Sequence, residues 1–360
     1  MKKILTGLSA VLLAGAASTA AADPVEDFYK DRQVTVIFTG AVGSIYDISA
    51  RLVTKHMADY IPGKPIMVVK AMPGGGHLVG TNWLYNVAPR DGSALASIGE
   101  AIPLTQVLEP EKVKFDVSKF IWIGNPNVAN LVLSTWAATG IKTIDDAKKR
   151  EVIIGAGGAT SPSGQIPKAL NNIVGTKFKI ITGFPSTHID LAMERGEVEG
   201  RGSALWAWWK TGRASWVAEN KLNHLVQWGP KRDKELPDVP LLTELAKNEA
   251  ERQVFQLMSS TVIVGRPILT TPEVPVDRVA ALKASFVKAM SDKDYLAATK
   301  QAKLDVNPMF ADEMQKLIEA IIATPPEVVA LTKAATTQGQ HFDCKALVKD
   351  PALCEGSGSE

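Results

Sequence analysis

The sequence predicts an α/β protein in which helices cover both faces of parallel sheets. Short runs rich in β-branched residues alternate along the chain with helical patterns, and this alternation is typical of such sheets. The chain has 360 residues, and the 338 that follow residue 22 suit two domains of ordinary size. Nothing repeats at the period of a solenoid, so we predict two packed α/β domains.

The N-terminus has the pattern of a secretory signal peptide. Lys2 and Lys3 precede an apolar run at 8–17, and three alanines end at Ala22 before Asp23. We expect cleavage after Ala22 and a periplasmic mature chain. That chain carries 38 basic and 38 acidic residues, so it has no general field for nucleic acid or an anionic membrane.

The elements follow from hydrophobic periodicity, which is two residues in strands and 3.6 in helices. The predicted strands are 34–38, 66–69, 94–98, 120–123, 131–135, 152–155, 178–182, 224–228 and 257–264. The first predicted helix follows strand 34–38 and ends before Pro62. The later ones are 78–85, 163–173, 187–195, 204–211, 277–290 and 311–322.

Three turns that lead from a strand into a helix are the candidate ligand site. Ligands of open α/β sheets bind beyond the carboxyl ends of strands, where helix N-termini present free N–H groups. The turns supply small residues and hydroxyl donors suited to a carboxylate. Their candidate residues are Ala41, Val42, Gly43, Ser44, Tyr46 and Asp47 in the first turn, Thr160, Ser161 and Ser163 in the second, and Pro185, Ser186, Thr187 and His188 in the third.

The third turn has the clearest local pattern. An apolar strand passes through Gly183 and Pro185 into a helix that stops at Gly196. Thr187 and Asp190, three residues apart, resemble a capping box, which would leave backbone N–H groups facing a ligand. The same arrangement also occurs in α/β proteins without a ligand there.

Six motifs, in a fixed order over nearly the whole mature chain, resemble the substrate-binding receptors of tripartite tricarboxylate transporters, the Bug-type family. They are Tyr-Asp-x-x-Ala-Arg-Leu at 46–52, Met-Pro-Gly-Gly-Gly at 72–76, Asn-Val-Ala-Pro-Arg-Asp-Gly at 86–92, Trp-Ile-Gly at 122–124, Gly-Thr-Lys-Phe-Lys-Ile at 175–180, and Leu-Ala-x-Glu-Arg-Gly-Glu-Val-x-Gly-Arg at 191–201.

The resemblance implies a two-lobed type II periplasmic binding protein with a ligand cleft between α/β lobes. It implies a first lobe of 23–123 and 240–354, a second lobe of 124–239, and a flexible tail at 355–360. Receptors of this family usually carry small carboxylates to a membrane permease. The first loop departs from the family's Pro-Gly-Gly-Gly-Tyr-Asp, because Ser44 and Ile45 replace two glycines. This change makes a citrate-like specificity doubtful.

Three further residues have two interpretations each. Glu100, at the end of the third strand, either accepts a hydrogen bond from a ligand or caps the helix that begins near Ile102. Arg201 either binds a carboxylate or forms a surface ion pair with Glu197 or Glu199. With Ser203 as a cap, Trp206 and Trp209 share a helix face away from Trp208, so Trp206 either lies in the core or stacks on a ligand.

The two cysteines, Cys344 and Cys354, predict a local disulfide in an oxidising compartment. A metal or redox pair is the alternative, but their spacing is wide and no histidines are near. The five histidines lack metal-ligand spacing. The chain also lacks a Gly-x-Ser-x-Gly elbow and a Gly-Lys-Ser/Thr phosphate loop, and we expect neither metal nor cofactor.

The sequence therefore predicts a monomeric periplasmic receptor that captures a small organic carboxylate and delivers it to a tripartite tricarboxylate-type permease. No catalysis and no nucleic-acid partner are expected. A secreted α/β hydrolase, or another enzyme that acts on carboxylates, is the alternative, and binding without turnover would distinguish the two.

Overall fold

The computed structural model describes residues 23–159, 161–337 and 342–356. The predicted signal peptide and residues 357–360 of the predicted tail lie outside this range. The strands are β1 (Gln33–Phe38), β2 (Ile66–Ala71), β3 (Ala94–Ser97), β4 (Ile121–Asn125), β5 (Leu131–Trp136), β6 (Val152–Gly155), β7 (Phe178–Ile181), β8 (Gly200–Leu205), β9 (Leu222–Trp228), β10 (Ile268–Thr270) and β11 (Met309–Phe310).

The helices alternate with these strands along most of the chain. They are α1 (Pro24–Tyr29), α2 (Ile45–Ala58), α3 (Leu78–Asn86), α4 (Ile102–Leu108), α5 (Ile144–Lys149), α6 (Pro162–Ala169), α7 (Ser186–Glu194), α8 (Trp206–Gly212), α9 (Ala214–Ala218), α10 (Glu249–Val264), α11 (Val276–Met290), α12 (Lys293–Gln301), α13 (Ala311–Ile322), α14 (Pro326–Thr336) and α15 (Cys344–Leu347). None of the helices in the described range combines the length and apolar character needed to cross a membrane.

The first sheet has the strand order β11-β4-β10-β3-β1-β2. Strands β1, β2, β3 and β4 point the same way, whereas β10 and β11 are antiparallel to their neighbours. The carboxyl ends of four strands therefore meet at one edge, together with the start of β10. We call this the first carboxyl edge, and the sheet with its covering helices the first lobe.

The second sheet has the order β7-β6-β8-β5-β9. Strands β6, β7 and β8 are parallel, and β5 runs against both β8 and β9. Its carboxyl ends define the second carboxyl edge, where β6 leads into α6 and β7 leads into α7. This sheet and its helices form the second lobe.

Helix α10 contacts the cores of both lobes. Val254, Phe255 and Met258 pack in the second-lobe core, whereas Leu257 and Val264 belong to the first-lobe core. The helix begins where the Asn248 side chain accepts a hydrogen bond from the N–H of Glu251, and it ends at Gly265. The chain thus returns to the first lobe along α10.

The structure corrects two predicted elements. Residues 257–264 are the end of α10 rather than a strand, because a short apolar run buried on all sides has the same pattern in either state. Ser203 lies within β8 and does not cap a helix at 204; Leu205 is the N-cap of α8, which begins at Trp206. The pairing of β8 with β5, which reaches Leu205, extends this strand past the predicted helix start.

The predicted disulfide is confirmed. Cys344 and Cys354 are bonded, with Cα atoms 5.9 Å apart. Both half-cystines pack against the second-lobe core, and Asn248 donates a hydrogen bond to the carbonyl of Cys354 at 3.3 Å. The bridge therefore holds the C-terminal segment on the second lobe.

Candidate functional site

The first turn, after β1, is held together by hydrogen bonds to the carboxylate of Asp47. Asp47 is buried, and its two oxygens accept hydrogen bonds from the Gly43 N–H at 2.8 Å and from Arg51 Nε at 2.6 Å. Ala41 and Gly43 are exposed, and Val42 is 76 % exposed, so this turn presents backbone and an apolar side chain to solvent. Asp47 thus shapes the loop.

Ser44 and Tyr46 lie at the start of α2, where this turn meets the end of β3. The buried hydroxyl of Ser44 has no hydrogen-bond partner among the described residues. The Tyr46 hydroxyl accepts a hydrogen bond from the backbone N–H of Glu100 at 3.2 Å, and burial raises the pKa of Tyr46. The tyrosine therefore joins two neighbouring segments of the first carboxyl edge.

Glu100 does not cap the following helix. The N-cap of α4 is Ala101, and the Glu100 carboxylate accepts no hydrogen bond from the described residues. Burial raises the pKa of Glu100, and the nearby positive charge of Arg266 partly offsets this. The interpretation of Glu100 as a helix cap is therefore wrong, and its contact with a ligand stays a prediction.

Arg266 is a residue of this edge that sequence reasoning missed. It lies two residues before β10, and because β10 runs antiparallel beside β3, it sits next to the segment that follows β3. Its side chain is only 5 % exposed, and its guanidinium donates no hydrogen bond within the described chain. No motif surrounds Arg266, so only the strand order could have placed it beside Glu100.

His77 packs against residues of the same edge, Thr39 and Tyr46. It adopts a left-handed backbone conformation, with φ of 78°, before α3. Its Nδ1 lies 2.8 Å from the hydroxyl of Thr39, and its ring is 5.1 Å from the ring of Tyr46. A Cβ atom on Gly99 would lie 2.5 Å from the His77 ring, so this close packing requires glycine.

The second turn, after β6, is held by its own hydroxyls. Ser163 Oγ accepts a hydrogen bond from the Gly157 N–H at 3.0 Å, and Ser161 Oγ accepts one from the Gly158 N–H at 3.2 Å. The two hydroxyls lie 2.8 Å apart. Thr160 lies outside the described residues. The serines thus have local partners and come together as a pair at the start of α6.

The third turn differs from the predicted capping box. Helix α7 begins at Ser186 with Pro185 as its N-cap, so Thr187 lies within the first turn and is not the cap. Gly196, with φ of 71°, follows the helix end as predicted. The side chains of Ser186 and Thr187 lie outside the description, and His188 is exposed.

Asp190 has a structural partner instead of a capping role. Its carboxylate is fully buried and lies 2.6 Å from Arg201 Nη1 and 3.1 Å from Arg213 Nε. Trp208 Nε1 donates to the second oxygen at 3.1 Å. We call these four residues the Asp190 cluster. It carries two positive charges and one negative charge below the second carboxyl edge.

Arg201 is buried rather than at the surface, and it also donates from Nε to the carbonyl of Ser203 at 2.8 Å. The predicted surface pair is therefore wrong: Glu197 lies by Arg195 and Glu199 pairs with Arg150. Burial lowers the pKa of Arg201, and Asp190 opposes this shift.

Trp206 belongs to the second-lobe core. It is buried, donates from Nε1 to Glu235 at 2.8 Å, and packs edge-on against His224 at 5.1 Å. Trp209 is fully buried on the same helix face, whereas Trp208 is partly exposed, as the spacing predicted. The core interpretation fits these contacts, and a ligand contact by Trp206 stays a prediction.

A groove of about 420 Å³ lies between the lobes. On the first lobe it is lined by Ala101, which follows Glu100 in the sequence. On the second lobe it is lined by Ala159, which precedes Thr160. Its first-lobe wall is α4, and its other walls are the turn after β6, α6 and the end of α14. The lining residues are Ala101, Leu104, Thr105, Leu108, Glu109, Glu111, Ala159, Gln165, Lys168, Lys333, Thr336 and Thr337. Within the described range no cluster of side chains suits a metal ion.

Solved structures share this architecture. The chain superposes on a TctC solute-binding protein from Polaromonas with a TM-score of 0.63 and 18 % identity, covering 82 % of this chain and 96 % of that one. It superposes on MatC from Rhodopseudomonas palustris, determined with bound malate, with a TM-score of 0.58 and 19 % identity, covering 83 % and 99 %. These likenesses confirm the predicted two-lobed periplasmic binding protein fold.

A curated relative supports the resemblance at the level of sequence. The chain is 25 % identical over 341 residues to the UPF0065 protein in the gbd 5′ region of Cupriavidus necator, covering 93 % of this chain and 97 % of that protein. No family model matches the chain. Together with the solved structures, which are binding proteins, this relative confirms the resemblance predicted from the six motifs.

Proposed function

We propose that this protein is a periplasmic solute-binding receptor that captures a small organic carboxylate between its lobes and delivers it to a tripartite tricarboxylate-type permease. The groove between α4 of the first lobe and the turn after β6 of the second is the observation that supports this most directly. A two-lobed binding fold places its ligand where such edges face one another.

Cationic side chains at the two carboxyl edges suit an anion. The first carboxyl edge holds Arg266, whose guanidinium has no hydrogen-bond acceptor in the described chain. At the second edge the Asp190 cluster has an excess of one positive charge. Helices α6 and α7 also begin there, and helix N-termini favour anions. MatC, which shares the fold, was determined with malate.

The receptor acts by closing its lobes on the ligand. We keep the proposed boundaries of 23–123 and 240–354 for the first lobe and 124–239 for the second, except that the C-terminal segment at 342–354 packs on the second-lobe core. The connection between β4 and β5 is short, and α10 contacts both cores, so these segments are the proposed hinge. A ligand shifts such an equilibrium only through contacts made in the closed form. We propose a monomer without catalysis.

Ligand binding is tested by thermal shift and calorimetry with mono-, di-, tri- and aromatic carboxylates. A compound that binds only the folded protein raises its melting temperature. We expect at least one acid to do so with one-to-one stoichiometry, no turnover and a smaller radius of gyration in solution scattering. Equal affinity for the neutral amide would contradict the anion site, and turnover would favour the hydrolase.

Candidate hydroxyl contacts are tested at the second and third turns. Ser161→Ala and Thr187→Ala should each weaken the binding of that acid by about 1 to 3 kcal/mol if each hydroxyl donates to the carboxylate. Because Ser161 also holds its own turn, its variant needs a melting curve without ligand. An unchanged affinity in both variants would remove these hydroxyls from the site.

A further inference from the structure

We propose that Arg266 and Glu100 form the first-lobe half of the ligand site and select a zwitterionic amino carboxylate. The ligand carboxylate binds the Arg266 guanidinium, and the ligand ammonium group binds the Glu100 carboxylate. This inference rests on the proposed receptor function and narrows its ligand from organic carboxylates in general to those that also carry an amino group.

Arg266 is prepared for an acceptor that the chain does not supply. It is 5 % exposed, yet no carboxylate of the described chain lies within the 4.0 Å of an ion pair. Its three guanidinium nitrogens all keep some contact with solvent, since none is among the fully buried atoms that lack a partner. A buried charge without a partner is costly, and a bidentate carboxylate relieves that cost.

Glu100 is the complementary group. Its backbone N–H donates a hydrogen bond to the Tyr46 hydroxyl, but its carboxylate accepts no hydrogen bond from the described residues. Glu100 and Arg266 are near enough for each charge to act on the other, yet they do not form a pair. The edge therefore presents one acceptor and one donor of opposite charge, side by side and without direct contact.

Charge balance selects among carboxylates. A simple acid would place two carboxylates beside one guanidinium, and the like charges would repel one another. A hydroxy acid offers Glu100 only a neutral donor. A zwitterion supplies a carboxylate to Arg266 and an ammonium group to Glu100, so each group gains a charge-assisted hydrogen bond.

The backbone around Arg266 is fixed. The Asn125 side chain donates to the carbonyl of Ile263 at 3.1 Å and accepts from the Arg266 N–H at 3.4 Å. Gly265 has φ of 62°, and a Cβ atom there would clash with the side chain of Asn125. The backbone of Arg266 is thus held between the end of β4 and the start of β10, which fixes the point from which its side chain reaches a ligand.

The test compares matched acids by calorimetry on the full mature chain. Three triads keep the carbon skeleton and change one group: alanine, lactate and propionate; aspartate, malate and succinate; phenylalanine, phenyllactate and phenylpropionate. We expect the amino acid of at least one triad to bind about tenfold or more tightly than both of its partners.

Variants assign the two contacts. Glu100→Gln should remove the preference for the amino acid and leave the binding of the other two acids unchanged or tighter. Arg266→Gln should weaken all three about tenfold or more. Arg266→Lys keeps the positive charge but loses the guanidinium that can bind a carboxylate through two hydrogen bonds, so its loss of affinity should be intermediate. It replaces the glutamine variant if that variant does not fold. Glu26→Gln, on the exposed surface of α1 and outside the groove lining, makes the same charge change as Glu100→Gln and should bind like wild type.

The outcomes separate this inference from the receptor function. If lactate, malate or phenyllactate binds as tightly as its amino acid in every triad that binds, and Glu100→Gln has no effect, the inference is wrong and the receptor function stands. If the amino acids fail to bind while other acids bind, the result is the same. If no carboxylate binds at all, both proposals fail.

Discussion

The two carboxyl edges use their buried arginines in opposite ways. At the second edge, Arg201 is held by Asp190 at 2.6 Å and by the carbonyl of Ser203 at 2.8 Å. At the first edge, Arg266 is equally buried, but its guanidinium donates no hydrogen bond within the described chain. Burial alone therefore does not separate a structural arginine from a binding one.

The difference lies in what each arginine would lose. Removing Asp190 would leave the buried Arg201 and the partly exposed Arg213 without their shared counter-charge, which costs stability. Removing Arg266 would take away a charge that the chain itself does not satisfy, so its effect should fall on the ligand. The predictions below test this contrast, from the largest expected effect to the smallest.

Asp190→Asn should lower the free energy of unfolding by about 3 to 5 kcal/mol, because it leaves the buried Arg201 without a counter-ion and also removes the partner of Arg213. Urea denaturation measures this loss. The control is Asp145→Asn, which breaks an exposed pair with Lys148 and should leave the free energy of unfolding nearly unchanged. A loss as small as the control's would mean that the second edge does not depend on its ion pairs.

His224 should make the second lobe sensitive to acid. Burial lowers the pKa of His224 to about 4, whereas an unfolded histidine titrates near 6.5. Between these values the unfolded chain binds the proton more readily, so stability is retained above about pH 6.5 and falls as the pH drops toward 4. The loss should be on the order of 3 kcal/mol.

His224→Gln should flatten this part of the pH dependence, measured as unfolding free energy from pH 7 to pH 4.5. His188→Gln is the control, because the His188 side chain is exposed and should leave the slope unchanged. An identical slope in the His224 variant would show that other groups cause the acid sensitivity.

Replacing Cys344 and Cys354 together with Ser should cost roughly 2 to 3 kcal/mol, as expected for a bridge that spans ten residues. Because the bridge holds the C-terminal segment on the second-lobe core, the loss should appear in stability and not in ligand affinity. Calorimetry with the acid found by screening checks the second half. Weaker binding would show that the C-terminal segment contributes to the groove.

Gly265→Ala should cost about 1 to 3 kcal/mol, because alanine is strained at this backbone conformation and its Cβ would meet Asn125. It should also weaken ligand binding, since Gly265 sets the position of Arg266. Gly140→Ala is the control: its φ is also positive, but a Cβ there meets nothing within 4 Å. Equal affinity in the two variants would mean that the position of Arg266 is not critical.

Local sequence predicted much of this molecule. Strands β1, β3 and β6 lie where the β-branched runs placed them, and helices α11 and α13 lie where the 3.6-residue period placed them. These patterns are reliable because the buried positions of a strand or an amphipathic helix recur at a fixed spacing in the local sequence. Helix α10 escaped prediction because its C-terminal half is buried on nearly all sides.

The candidate site was predictable only in part. The sequence identified the turns after β1, β6 and β7, because small and hydroxyl residues follow apolar runs there. It assigned Asp190 to a cap, since the cap pattern is local and the partners Arg201 and Arg213 are not. Side-chain pairing depends on distance in space, which a spacing of three residues does not reveal.

By itself the sequence determined the α/β class, the ends of most strands, the cysteine pair and the likeness to a receptor family. Only the tertiary structure decided which charges meet. Arg266 comes beside Glu100 because β10 inserts antiparallel between β4 and β3, and Arg201 meets Asp190 because β8 lies beneath α7. The interaction between two charges depends on their distance in space, which is set only when the chain packs. No motif in the linear sequence therefore identifies these pairs.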